Sequence, residues 1–227
     1  MFDFIAGEVL LVDKAREWTS FDVVKSLRNS ILKSLKIKKI KVGHAGTLDP
    51  LATGLLIVCT GKKTKEIDKY QAADKVYEGI ITLGAVRPSF DMETEIVETF
   101  DYSSITETDI LKAAESFEGE QMQTPPAYSA VRVDGVRAYK KARKNEEVEL
   151  KKRKITIHYF KIKKVEMPDV YFELKCSKGT YVRSLAGDFG RSLNNGAYLK
   201  SLRRTAIGNF SVEDALDVRK IKEIIES

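Results

Sequence analysis

Between Gly54 and Gly61 the chain reads Leu-Leu-Ile-Val-Cys-Thr, an apolar run bracketed by two glycines. It is too short for a helix and too continuous for a half-exposed strand, so it is expected to be a short strand buried in a core. The stretch before it, KVGHAGTLDPLATG, is broken by Gly43, Gly46, Pro50 and Gly54. Whatever fold forms must therefore hang a glycine-hinged loop directly on an internal strand. That loop carries one histidine, His44, and one aspartate, Asp49. An Asp-Pro pair alone is a common turn initiator, whereas a carboxylate on a loop over a rigid scaffold is how reactive groups are usually presented. The loop alone leaves both readings open.

The rest of the pattern is mixed. GEVLLVDK reads as a first strand, followed by a helix opening near Ser20 with Phe21, Val24, Leu27, Ile31 and Leu35 along one face. KVYEGIITLGAV is a longer strand, and TETDILKAAESFEG a helix ended by Gly119. QTPPAYSAVRVDGVRAYKKARK gives a Pro-Pro break, a strand, an Asp-Gly turn at Asp134-Gly135 and a short basic helix. RKITIHYFKIKKV and DVYFELKCS are strands, the second alternating through Val170, Phe172, Leu174 and Cys176. TYVRSLAGDFGRSLNNG is a helix with Val182, Leu185, Ala186, Phe189 and Leu193 inward and a glycine stop. YLKSLRRTAIGNF is a last strand region, and a short helical tail follows. Strands arrive both as hairpins and between helices, which predicts an α+β fold: a mixed, largely antiparallel central sheet flanked by helices.

Composition narrows the function classes. With 43% hydrophobic and 32% charged residues, the 227-residue chain can bury a full core. Lys and Arg outnumber Asp and Glu by 39 to 33, a modest excess that favours a nucleic acid partner. Two cysteines, Cys59 and Cys176, and two histidines cannot supply the paired ligands of a structural zinc site, so buried free thiols are expected. No leader pattern is visible in MFDFIAGEVLLVDK, and no apolar run approaches the length of a membrane span. The expectation is a cytoplasmic protein with no membrane, metal or cofactor requirement.

GHAGTLDPLATGLLIVCTGKKTK resembles the signature of the TruB family of tRNA pseudouridine-55 synthases. The resemblance extends in order through LLVDKAREWTSFDVV, KVYEGIITLG, TPPAYSAVRVDGVRAYKKAR, CSKGTYVRSLAGDFG and YLKSLRRTAIGNF. It implies a pseudouridine synthase domain over residues 1–210, with a basic RNA-contacting insertion at about 123–154 and a helical tail at 211–227. Asp49 would be the catalytic residue. His44 would contact RNA near the flipped nucleotide, and Tyr77 would stack on the uracil. Tyr181 and Arg183 would line the pocket, with Arg183 paired to Asp49, and Leu202 would contribute a wall or a backbone contact to the base. Asp91 corresponds to an acidic position after the tyrosine strand. Lys14, Lys41, Arg203 and Arg204 are expected at the RNA backbone.

The implied reaction is an isomerisation: the N1–C1′ bond breaks, the uracil turns over, and C5 is joined to C1′. It calls for a carboxylate, a closed pocket and a base flipped out of a folded loop, at a cost of a few kcal/mol that backbone contacts must offset. The expected partner is the T stem-loop of tRNA, bound by a monomer. This sequence departs from the family at Ala15 and Glu17, where proline and glycine are usual, and in RPSFDMETE, which keeps Asp91 but not the threonines before it. It also stops at Ser227, short of the PUA-type domain that many members carry. Two other readings stand beside this one: a guide-RNA-dependent relative, and a non-catalytic tRNA chaperone that would not need Asp49.

Overall fold

The structure, a computed structural model, describes residues 2–133, 135–144, 146 and 148–226. Its principal elements in chain order are β1 (Val9–Lys14), α1 (Ser20–Ser34), β2 (Val42–His44), β3 (Thr53–Thr60), α2 (Ile67–Ala72) and β4 (Lys75–Leu83). There follow α3 (Glu107–Ser116), β5 (Gly119–Gln123), α4 (Ala138–Ala142), β6 (Arg153–Glu166), β7 (Asp169–Cys176), α5 (Val182–Ser192), β8 (Ala197–Ile207) and α6 (Val218–Glu226). The chain divides into two compact units, residues 1–77 with 203–227, and residues 78–202. Both divisions fall inside strands, β4 and β8, so no linker marks them. The fold is α+β, with mostly antiparallel ladders, and no helix among the described residues is long and apolar enough to cross a membrane.

In the first unit β3 is antiparallel to β1 and β2 and parallel to the end of β8. It is buried on both faces. Leu56 and Val58 join a core made with α1 and α6 through Val23, Leu27, Ile31, Ile221 and Ile225. Leu55, Ile57 and Cys59 pack with Ile207 and Val212. Two covered faces explain why the run shows no alternation.

Helix α1 starts at a capping box: the Thr19 hydroxyl accepts from the Asp22 amide, and the Asp22 carboxylate accepts from the Thr19 amide. Its buried stripe runs Ser20, Val23, Val24, Leu27, Ser30, Ile31. The buried stripe lies slightly off the expected face, for Phe21 is 68% exposed and Leu35 is exposed as well. The stripe turns toward β3, which leaves Phe21 on the solvent side. Helix α6 lies along α1, where Ser34 Oγ donates to the Ile225 carbonyl at 2.7 Å.

In the second unit β6 pairs with β7 and β5, both antiparallel. A cluster of Phe117, Phe160, Phe172 and Phe189, with centroids 5.5 to 6.4 Å apart, joins α3, α5 and this ladder. Helix α3 opens at a second capping box, Thr106 with Asp109. The stop of α5 is not a glycine: Asn194 takes the left-handed conformation at φ 53, and its amide donates to the Arg191 carbonyl. Asparagine tolerates that region better than most residues. The two-residue strands Arg132–Val133 and Val136–Arg137 pair as a hairpin. Asp134, the first residue of the expected Asp-Gly turn, lies outside the described residues.

Candidate active site

The loop between β2 and β3 holds Asp49 by its neighbours on both sides. The Leu48 amide donates to Ser20 Oγ at 2.9 Å, and that hydroxyl lies 3.2 Å from the Leu48 carbonyl. The Glu17 amide donates to the Pro50 carbonyl at 2.8 Å, and the Ala52 amide to the Asp49 carbonyl at 3.1 Å. Lys14 Nζ donates to the carbonyls of Trp18 at 2.7 Å and Ala15 at 2.9 Å, with Pro50 at 3.4 Å. From the other flank, Arg204 donates through Nε to Leu55 O at 2.8 Å and through Nη2 to Gly46 O at 3.1 Å. A loop tied at positions 46, 48, 50 and 52 holds the backbone of Asp49 in place.

Strand register puts the two cations there. Lys14 lies opposite Gly54 across β1 and β3, and Gly54 lies opposite Arg204 across β3 and β8. Gly54 has φ +101, and a Cβ on it would sit 2.3 Å from the Arg204 carbonyl oxygen. Only glycine lets the strands approach so closely at this point.

This overturns part of the expectation for the basic residues. Lys14 is 0% and Arg204 1% exposed, so neither reaches a phosphate; both donate to backbone carbonyls under the Asp49 loop. Arg203 makes a two-pronged ion pair with Asp13, at 2.8 and 3.0 Å. Lys41 remains exposed. Burial pushes the Lys14 ammonium down to about 8, the nearby Asp49 charge acts against that shift, and the Arg204 charge adds to it. His44, on β2, is half-buried, and its imidazole is held below its ordinary range by that burial and then by the Arg204 charge. Tyr77 is buried on β4.

In the second unit Arg183 sits in the first turn of α5 at 4% exposure. It is no surface pair. Nη1 lies 3.4 Å from Asp91 Oδ2 and from the Ser89 carbonyl, and Nη2 donates to the Tyr128 carbonyl at 2.9 Å. Asp91 is itself buried and accepts from the Glu93 amide. The loop that carries it is held by Ser89 and Thr94, whose hydroxyls are 2.9 Å apart. Tyr181 stands just before α5, and Leu202 is half-buried on β8.

Sequence reasoning missed Ser20 as the anchor of Leu48, because a Thr-Ser pair before an apolar helix announces a cap and nothing more. It also missed the pairing of Asp13 with Arg203, which only the strand register reveals.

Two solved structures share the fold. A Cbf5-Nop10-Gar1 complex aligns at a TM-score of 0.73 and 27% identity over 97% of this chain. An H/ACA RNP bound to a substrate RNA containing 2′-deoxyuridine aligns at 0.70 and 25% over 97%. The chain spans about half, 54%, of each of those chains. The class is thus an α+β fold shared with chains of a Cbf5-Nop10-Gar1 complex and of an H/ACA RNP. Within it, this chain belongs to the TruB family of pseudouridylate synthases, whose N-terminal domain matches residues 33–182. Proteins named tRNA pseudouridine synthase B are similar over nearly their whole length. That of Flavobacterium johnsoniae is 47% identical over 99% of this chain and 98% of its own. That of Chloroherpeton thalassium is 49% identical over 96% and 90%.

Proposed function

We propose that this chain is a tRNA pseudouridine synthase that isomerises uridine 55 in the T loop. The observation that carries the reading is the Asp49 loop, tied by backbone hydrogen bonds on both flanks of the aspartate and underlain by two buried cations. A carboxylate that acts on one bond of one nucleotide has to be held in place, since small misplacements of a reacting group cost much of the rate. The 47% identity to a protein named tRNA pseudouridine synthase B, against 27% to a chain of a Cbf5-Nop10-Gar1 complex, favours a tRNA substrate over a guided one.

In this reading Asp49 is the carboxylate that acts on the flipped uridine, close to the Lys14 charge that favours its ionised form. Tyr77 offers a flat face to the uracil, a grip that tolerates rotation of the ring. His44, neutral near pH 7, meets the RNA beside the flipped nucleotide. Arg183, fixed by Asp91, and Tyr181 and Leu202 complete the contacts to the base. The basic stretches at 33–41 and 140–154 take the phosphates, and the protein acts on the T stem-loop as a cytoplasmic monomer. The test is release of tritium from the uracil C5 of a T stem-loop RNA. Release from the normal loop, and none from a loop whose label sits in any other uridine, is expected. RNA binding without release would favour a chaperone.

A further inference from the structure

We infer that Gln123 and Arg153 are positioning residues that together fix the orientation of Tyr181, and so couple the base-contacting tyrosine to the basic insertion. The inference rests on the reading above, in which Tyr181 contacts the target base.

Gln123 is the last residue of β5 and Arg153 the first of β6, and the register places them directly opposite each other. The segment from 124 to 152 therefore leaves and returns at this one pair. Gln123 is 3% exposed, and its amide clamps the backbone of Tyr181 from both sides. Its Oε1 accepts from the Tyr181 amide at 2.8 Å, and its Nε2 donates to the Tyr181 carbonyl at 3.0 Å. A side-chain amide used this way stands in for a strand neighbour at a residue that has none. Tyr181 is extended, at φ −99 and ψ 108, and no side chain caps α5 there.

Arg153 acts on the ring. Its guanidinium carbon lies 5.1 Å from the Tyr181 centroid. Its stem passes Gly179, where a Cβ would stand 3.7 to 3.8 Å from Arg153 atoms. A third tie fixes the helix itself: Ser184 Oγ donates to the carbonyl of Thr124, the residue after Gln123, at 2.8 Å. One cross-strand pair thus governs both the backbone and the ring of Tyr181, at the stem of a segment rich in lysine and arginine. Strain placed on that stem by bound RNA reaches the tyrosine through two side chains.

The test uses the full chain with Arg153→Met, Arg153→Lys, Gln123→Leu and the double variant Arg153→Met with Tyr181→Leu. Tritium release gives kcat and KM, a thermal melt gives stability, and hydrogen exchange follows the Tyr181 amide. Arg153→Met is expected to lower kcat about threefold to fivefold, the scale of a cation–π contact, with KM little changed and Arg153→Lys recovering most of the loss. Gln123→Leu strands the Tyr181 amide, while the Tyr181 carbonyl keeps the Leu185 amide, and is expected to lower kcat about tenfold to a hundredfold, with faster exchange at the Tyr181 amide. Adding Arg153→Met to Tyr181→Leu should cost nothing further. A rise in KM alone for Arg153→Met would make it an RNA contact and overturn the inference. So would unchanged exchange and kcat in Gln123→Leu, or additive losses in the double variant. Absence of release by the native protein would instead sink the functional reading, while exchange at Tyr181 would still decide whether the clamp exists.

Discussion

Raising the pH through 8 should reduce activity while it increases the share of stability that comes from Lys14. Unfolded, this lysine titrates near the ordinary lysine value of 10.5; folded, burial brings it to about 8. Between those values the unfolded chain binds the extra proton, so stability rises with pH across the window. At roughly 1.4 kcal/mol per pH unit the full gain is about 3 kcal/mol. Activity should move the other way. The ammonium has three protons for the carbonyls of Ala15, Trp18 and Pro50, whereas the neutral amine has two. The longest contact, to Pro50 beside Asp49, is the one released, and with it goes the positive charge near the carboxylate. Loss of one hydrogen bond of about 1 kcal/mol corresponds to about a fivefold fall in kcat. The assay is the pH profile of kcat from pH 6.5 to 9.5, set beside urea unfolding, for the native protein and Lys14→Met. The native profile should show an alkaline limb near pH 8, and the variant should lack that limb at a low, level rate. Titration of the uracil would leave a limb in both. A native profile flat to pH 9.5, or a limb near pH 8 that persists in Lys14→Met, would refute the reasoning. So would a native-minus-variant stability difference that does not grow with pH.

Three further outcomes follow from the geometry. Glu17 holds a left-handed backbone at φ 71, so Glu17→Gly should stabilise the protein by about 1 kcal/mol, a gain of about 2–4 °C in a thermal melt. Gly54→Ala places a methyl group against the Arg204 backbone at φ +101; the result should be a loss above about 3 kcal/mol in urea unfolding, or failure to fold. Asp91→Ala removes one buried carboxylate that faces the Arg183 guanidinium, and calorimetry should show a loss of about 2 kcal/mol, the scale of a hydrogen bond to a charged group.

The sequence made the strands and helices legible where period or punctuation was strong. The uninterrupted Leu55–Cys59 run is buried because two cores meet on β3, and the helix expected to open near Ser20 starts there. Other features depend on contacts that no local pattern encodes. The inward face of α1 is set by where β3 lies, and Phe21 falls outside it. Lysine and arginine look alike in a sequence whether they meet phosphate or carbonyl oxygen. The burial of Lys14 and Arg204 comes from a register through Gly54 that joins residues 14, 54 and 204. Gln123 gave no signal beyond its place before Pro-Pro, since its partner is 58 positions away. The role of Glu17 was half visible: its departure from glycine could be read, while its bond to Pro50 could not.

The most direct test of the central claim compares the native protein with Asp49→Ala on a T stem-loop RNA tritiated at uracil C5, measuring release and RNA affinity together. The account predicts release by the native protein, none by the variant, and similar affinity in both. Equal release by the two proteins would contradict it, because the loop so firmly tied around Asp49 would then not be holding the reacting carboxylate.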